Sequence, residues 1–269
     1  NTKLITNLTI DRNDLLGSSF ECLLNKSNED LLKEFRISFA NEKGIDLGGI
    51  KRDWFTDLAK ELFKQNYGLF DCVGSNKSYR PNKFSFANRN HLDYFRFAGK
   101  FIARALIEPQ CIDAHLSNSF CKQILHRKPS FKDLEEIDVQ LNQSLECIRD
   151  IDDAESLEMV FAFNEDEFGV VKTIELIENG ENISLTNENK NDYINLRFDY
   201  ALYGVIKDQL DAFIEGFDSL IPHNEIKFFT AHELDLLICG IPEIDIDDFK
   251  KNTDCKFPYN KNTTAIKMI

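Results

Sequence analysis

Glu34-Phe35-Arg36-Ile37-Ser38-Phe39-Ala40-Asn41-Glu42-Lys43-Gly44-Ile45-Asp46-Leu47-Gly48-Gly49-Ile50 runs from a strand pattern through a glycine turn into the start of a helix. Phe35, Ile37 and Phe39 alternate with Arg36 and Ser38, the two-residue period of a strand with one buried face. Gly44, Gly48 and Gly49 mark a turn that needs positive φ or close backbone approach. Beyond it, Trp54, Phe55, Leu58 and Leu62 recur at helical spacing among Lys51, Arg52, Lys60 and Lys64. This helix is expected to stop near Asn66 and Gly68.

Working outward, residues 73–90 read as a polar loop or weak hairpin. A second helix is predicted from His91 to Leu106, with Leu92, Phe95, Ala98, Gly99, Ile102 and Leu106 facing inward. Its small residues allow close packing against a neighbour. A third helix is predicted around 115–126. Further on, Tyr193, Leu196, Tyr200, Val205, Leu210 and Phe213 predict one long helix ending near Gly216, and Pro222 breaks the chain. Thr230-Ala231-His232-Glu233 matches a capping box, leading into Leu234, Leu236, Leu237 and Ile238 and a stop at Gly240. The last thirty residues are rich in Asp, Asn and Lys.

The middle third changes character. Between Leu134 and Val171 stand Glu135, Glu136, Asp138, Glu146, Asp150, Asp152, Asp153, Glu155, Glu158, Glu165, Asp166 and Glu167, against a single basic residue, Arg149. Leu141, Leu145, Ile148 and Ile151 lie among them at helical spacing, and Leu157, Met159, Phe161 and Phe163 follow at strand spacing. Two readings of this stripe stand side by side. It is the core of a small acidic subdomain, or it is an apolar groove rimmed by acid, suited to a partner with apolar anchors and basic flanks.

Composition sets the outer limits. The chain has 269 residues, 42% of them hydrophobic and 23 of them Phe, which is ample for a packed core. A net charge of -14 argues against nucleic acid and anionic membranes, because both need clustered Lys and Arg. No apolar run reaches membrane-spanning length, and the N-terminus has no signal-peptide core. The first residue is Asn rather than Met, so the chain reads as a piece of something longer. The seven cysteines, at 22, 72, 111, 121, 147, 239 and 255, are irregularly spaced, which predicts reduced thiols in an intracellular compartment and no disulfide framework.

Local chemistry is sparse. Cys111, His115, Cys121 and His126 are of zinc-ligand type, but the tight paired knuckles of structural zinc sites are absent, so no metal site is assigned. Cys111 and His115 share a helix face as a thiol and a base would, yet no third orienting group stands nearby in sequence. Asp150-Asp152-Asp153 and Asp245-Asp247-Asp248 lack the glycine and closing Glu of a calcium loop. No phosphate-binding glycine loop and no serine elbow occur, and no cofactor is implied. Cys239 sits in an apolar flank that predicts an inert thiol.

The order of segments resembles the N-terminal lobe of the catalytic domain of HECT-type ubiquitin ligases. The matching runs are Glu42 to Ile50, Arg52-Asp53-Trp54-Phe55, Tyr67-Gly68-Leu69-Phe70, His91 to Gly99, Asp133-Leu134-Glu135 and Gln143-Ser144-Leu145. Phe168-Gly169, Thr186-Asn187-Glu188-Asn189, Phe213 to Phe217 and Glu233 to Gly240 follow in order. The resemblance implies an α+β, mainly α-helical lobe. A large subdomain, 1–127 and 199–269, would carry a small inserted α/β subdomain at 128–198.

It further implies that the small subdomain docks a ubiquitin-conjugating enzyme. The groove would be formed by Leu141, Leu145, Ile148, Ile151, Leu157, Met159 and Tyr193. Arg197 would join it where relatives often carry an apolar or aromatic residue, a departure that bears on which conjugating enzyme binds. Tyr79 is the nearest match to an aromatic that contacts ubiquitin in some relatives. None of the seven cysteines matches the surroundings of the family's nucleophile, which is expected beyond Ile269 in a C-terminal lobe. The expected partners are therefore a ubiquitin-conjugating enzyme, ubiquitin, and a protein substrate held by segments outside this sequence. The parent protein would be a ubiquitin transferase, cytoplasmic or nuclear, and this lobe alone would be inactive. The alternatives are a non-catalytic ubiquitin-binding or scaffold module, or an enzyme built on Cys111 and His115.

Overall fold

Two parallel strands, β1 (Ile5–Ile10) and β2 (Glu34–Phe39), pair over their full length in a computed structural model that describes residues 5–42, 48–75 and 77–240. Thr6, Leu8 and Ile10 on one strand and Phe35, Ile37 and Phe39 on the other are buried, so β2 forms with the expected face inward. Its partner β1 and the intervening helices α1 (Leu15–Leu24) and α2 (Asn28–Leu31) have no counterpart in the sequence expectations. The glycine turn falls largely on residues 43–47, outside the described residues; Gly48 has φ 102° and leads into α3 (Gly49–Leu62).

The stretch 73–90, expected as a polar loop or weak hairpin, contains part of an antiparallel hairpin, β3 (Phe70–Val73) with β4 (Ser78–Pro81). Then come α4 (His91–Ile107), α5 (Asn118–Ile124), α6 (Phe131–Ile137) and α7 (Val139–Asp150). A second antiparallel hairpin, β5 (Ala162–Glu167) with β6 (Val170–Glu175), precedes α8 (Lys190–Leu202), α9 (Lys207–Asp218), α10 (His223–Ile226) and α11 (Ala231–Cys239). The protein is therefore α+β and mainly helical, with three small two-stranded sheets among the described residues. No helix of the described residues is long and apolar enough to cross a membrane.

Among the described residues, the buried apolar side chains form two clusters. The larger gathers Leu8 to Leu125 with Leu210 to Ile238 and is rich in rings: Trp54 meets Phe101 edge-on at 5.8 Å. Burying each such ring contributes about 2–3 kcal/mol. The smaller contains Leu134, Leu145, Ile148, Ala154, Phe161, Leu185, Tyr193, Ile194, Phe198 and Leu202. This division explains why the single long helix expected from Tyr193 to Gly216 is two helices. Tyr193, Ile194, Phe198 and Leu202 of α8 face the smaller core, whereas Leu210, Phe213 and Phe217 of α9 face the larger. One straight helix could not serve both, and the chain turns through a single 3-10 turn at Gly204–Ile206.

Helices α4 and α9 cross with almost no side chain between them. A Cβ at Gly99 would stand 2.7 Å from the Phe217 nitrogen, and one at Gly216 would stand 2.8 Å from the Arg96 carbonyl carbon. Glycine is required at both positions because each helix presses its backbone onto the other. The capping box of α11 forms as expected: Glu233 N–H donates to Thr230 Oγ1 at 3.2 Å and Thr230 N–H donates to Glu233 Oε2 at 2.7 Å. The Asp245-Asp247-Asp248 run and the Asp/Asn/Lys-rich tail lie outside the described residues.

Candidate functional site

Helix α7 starts where the Asp138 carboxylate accepts the Leu141 N–H at 2.9 Å, an N-cap that fixes the helix direction. Leu145 and Ile148 then point into the smaller core, 1% and 6% exposed. At the far end the chain leaves the helix at Ile151, turns through Ala154–Leu157, and passes through a left-handed residue, Glu158. The strand spacing that runs from Leu157 to Phe163 therefore begins as a turn. Leu157 ends that turn and is 37% exposed, and only from Met159 does the chain extend, where the Leu185 N–H donates to the Met159 carbonyl at 2.8 Å.

Helix and turn enclose an open cleft of about 660 Å³. Ile148, Ile151, Leu157 and Met159 give it an apolar wall, and Gln140, Gln143, Ser144 and Cys147 line the other side. Asp150, Asp152, Asp153, Glu155 and Glu158 are exposed on the same turn, and none has an ion-pair partner among the described residues. Uncompensated carboxylates beside apolar surface favour a cationic partner and make its encounter salt-sensitive.

The eight groove residues expected from the resemblance do not share one surface. Ile148, Ile151, Leu157 and Met159 line the cleft. Leu145 and Tyr193 lie beneath it, sealed in the smaller core, with Tyr193 meeting Phe161 edge-on at 5.5 Å. Leu141 and Arg197 open onto a different pocket of about 250 Å³, shared with Asp71, Arg80, Lys83 and Glu165. There the Arg197 guanidinium lies over the Phe163 ring at 3.5 Å, and burial lowers its pKa. Burial alone would raise the Glu165 carboxyl, but Lys83 at 2.6 Å and the Tyr200 hydroxyl at 3.0 Å outweigh it and hold the pKa below the usual range. Burial and the same bond push Tyr200 up to about 12. Arg197 is thus a strut between α8 and the β5–β6 hairpin.

Two residues that local patterning does not single out hold the cleft's lip. Asn187 accepts the Ala154 N–H at 3.1 Å and donates to the Asp152 carbonyl at 2.8 Å. Lys190 donates to the carbonyls of Arg149 and Ile151 at the end of α7. Both belong to or adjoin the Thr186–Asn189 run, which enters the sequence reading as one of the segments that carry the resemblance.

Tyr79 lies on β4. Its ring packs against Phe63 at 4.8 Å and its N–H donates to the His115 carbonyl at 2.7 Å, so only part of the side chain faces solvent. The four possible zinc ligands are not brought together. His126 pairs with Asp218 at 3.0 Å, Cys121 is fully buried, Cys111 is exposed, and His115 pairs with Asp235 at 3.0 Å. Burial raises the thiol pKa of Cys22, Cys121 and Cys239, opposite to what a nucleophile needs. Cys255 lies outside the described residues.

A family model described as HECT-domain (ubiquitin-transferase) matches residues 56–269. The chain is similar to the probable E3 ubiquitin-protein ligase TOM1 of Eremothecium gossypii, 38% identical over 248 residues, which is 91% of this chain and 8% of that protein. It is 37% identical over 262 residues to the E3 ubiquitin-protein ligase Nedd-4 of Drosophila melanogaster, 96% of this chain and 26% of that protein. It is also 38% identical over 250 residues to the E3 ubiquitin-protein ligase ptr1 of Schizosaccharomyces pombe, 92% of this chain and 8% of that protein. The chain spans between 8% and 26% of the length of these relatives.

Proposed function

The chain belongs to the HECT-domain ubiquitin-transferase family, and on that premise we propose that it is the N-lobe of a ligase whose cleft along α7 docks a ubiquitin-charged conjugating enzyme. The observation that carries this reading is the open apolar wall of Ile148, Ile151, Leu157 and Met159 beside unpaired carboxylates. A conjugating enzyme would insert apolar loop side chains there and set basic residues against the acidic turn.

The work of such a lobe is positioning. Holding two thiols in one complex raises their effective concentration for thioester exchange. A ligase thiolate attacks the ubiquitin thioester carbonyl and expels the conjugating enzyme's thiolate; a substrate lysine amine then attacks the new thioester, forming an amide, expelling the ligase thiolate and giving up its proton to solvent. We place that ligase thiol beyond Ile269, so that this lobe alone docks the donor and transfers nothing. Support comes from Cys121, which is buried, and from Cys22 and Cys239, which are partly buried; burial raises the thiol pKa of all three.

The docking unit is assigned to the small subdomain at 128–198. The smaller core supports this, since it lies almost wholly within those residues and reaches four further, to Leu202. Of the residues first assigned to the groove, Leu145 and Tyr193 act as its foundation, and Leu141 and Arg197 as struts behind it. A ubiquitin contact at Tyr79 would use the exposed edge of its ring. The free cysteines fit a reducing compartment, cytoplasmic or nuclear. Substrates would be held by segments outside this sequence.

The test is a titration of isotope-labelled chain with ubiquitin-conjugating enzymes. Amide shifts confined to residues 140–160 are expected, with weak, micromolar-class affinity. Binding of free ubiquitin with indifference to every conjugating enzyme would instead support the scaffold reading.

A further inference from the structure

His115, separated from the cysteines first considered with it, meets two other side chains that can bind metal. Its Nδ1 lies 3.0 Å from Asp235 Oδ2, and Cys239 Sγ lies 3.4 Å from Asp235 Oδ1. The three donor atoms all fall within 4.8 Å of one another, the one such grouping among the described residues. We propose that His115, Asp235 and Cys239 form a site for a thiophilic divalent cation of the zinc class. This inference is independent of the docking cleft.

Geometry carries the proposal. Metal–ligand bonds of about 2.0–2.3 Å put the ligands of a tetrahedral ion roughly 3.3–3.8 Å apart, so the donors need only small side-chain shifts. Asp235 and Cys239 are one turn apart on α11 and present the same helix face. His115 is held from both sides. Tyr79 N–H donates to the His115 carbonyl at 2.7 Å, Leu116 N–H donates to Asp235 Oδ1 at 3.0 Å, and Ser117 N–H donates to the Tyr79 carbonyl at 2.9 Å. The frame would be in place before any ion arrives. His115 and Asp235 also line an open pocket of about 370 Å³, which leaves room for water as a fourth ligand.

Donor chemistry selects the ion. A thiol, an imidazole and a carboxylate suit zinc and exclude calcium or magnesium, which require oxygen cages. The Cys239 thiol donates to the Ala114 carbonyl at 3.1 Å, and burial raises its pKa. On binding, the ion takes the place of that proton, which leaves to solvent, and the thiolate becomes a ligand. On binding, the imidazole proton that faces Asp235 on Nδ1 moves to Nε2, which frees the Nδ1 lone pair for the ion. The ion would clasp α11 to the loop that holds β4. The role is structural, because nothing at the site marks a substrate.

Cobalt(II) is the probe, added to chelator-treated chain kept reduced with a phosphine. One equivalent is expected to bind with a sulfur-to-cobalt charge-transfer band that zinc abolishes, and zinc is expected to raise the melting temperature. Cys239→Ser should lose the band, whereas Cys111→Ser, which removes the exposed thiol facing Gly240, should keep it. His115→Gln, which preserves a donor toward Asp235, should weaken binding at least tenfold while the metal-free protein melts as before. No band in the parent protein at micromolar cobalt overturns the site, as does a band that survives Cys239→Ser or full affinity in His115→Gln.

Discussion

Lys190, in the first turn of α8, donates from Nζ to the Ile151 carbonyl at 2.6 Å and to the Arg149 carbonyl at 2.9 Å. These carbonyls end α7 without intrahelical partners, and a cation there also meets the negative end of the helix dipole. Lys190→Met should cost about 0.5–1 kcal/mol and lower the melting temperature by roughly 2 °C. The more specific readout is amide exchange over 149–157, which should quicken while exchange in α4 stays as it was. Unchanged exchange at the lip would show that the lysine does not brace it.

Leu145 separates foundation from surface. It is 1% exposed within the smaller core, so Leu145→Asp would bury an unpaired carboxylate. Loss of protection throughout 131–202 is expected, at a cost of about 4 kcal/mol or more. Trp54 fluorescence should change little, because that indole lies in the larger core. Native exchange rates in α7 and α8 of this variant would contradict the assignment.

Gly99 and Gly216 make the reverse prediction. Either Gly→Ala change drives a methyl into the backbone of the opposing helix, and helix backbones have no rotamer with which to yield. Each should destabilise by about 3 kcal/mol or more. Here the larger core suffers, so Trp54 emission should report the loss at lower denaturant than in the parent protein.

Asp133 predicts acid sensitivity. Burial would raise its carboxyl, but the Lys122 ammonium at 2.7 Å and the Ser130 capping bonds prevail, and the folded pKa lies below the ordinary value. A carboxylate with a lowered folded pKa stabilises fully above its unfolded value of about 3.9, and that contribution is lost as pH falls through the folded pKa. Asp133→Asn should therefore lie below the parent in stability by a constant gap from neutral pH down to about pH 5. The gap should narrow below about pH 4. Denaturant midpoints across that range check this; a gap that widens in acid would contradict it.

Elements with strong local signals were legible in the sequence. Phe35, Ile37 and Phe39 mark β2, the helical spacing of Phe95, Ala98, Gly99 and Ile102 marks α4, and Thr230 with Glu233 marks the start of α11. β1 was not legible, because Thr6 takes one of its three buried positions, and α1 was not, because Gly17, Ser18 and Ser19 break the apolar pattern of a continuous helix. The break between α8 and α9 depends on which core each half faces, which periodicity does not encode. The site shows the same limit. Spacing reveals that Leu145, Ile148 and Ile151 share an apolar stripe, but only tertiary packing decides that Leu145 is covered and Ile151 borders the cleft. The reach of Asn187 and Lys190 across more than thirty residues leaves no local pattern at all.

Leu157→Asp tests the docking cleft most directly, because this side chain is part of its apolar wall and is 37% exposed, so the fold should survive the change. A conjugating enzyme that binds the parent chain should bind the variant at least tenfold more weakly, a loss of about 1.4 kcal/mol, with the melting temperature unchanged. Equal affinity for parent and variant, in proteins of equal stability, would contradict the account.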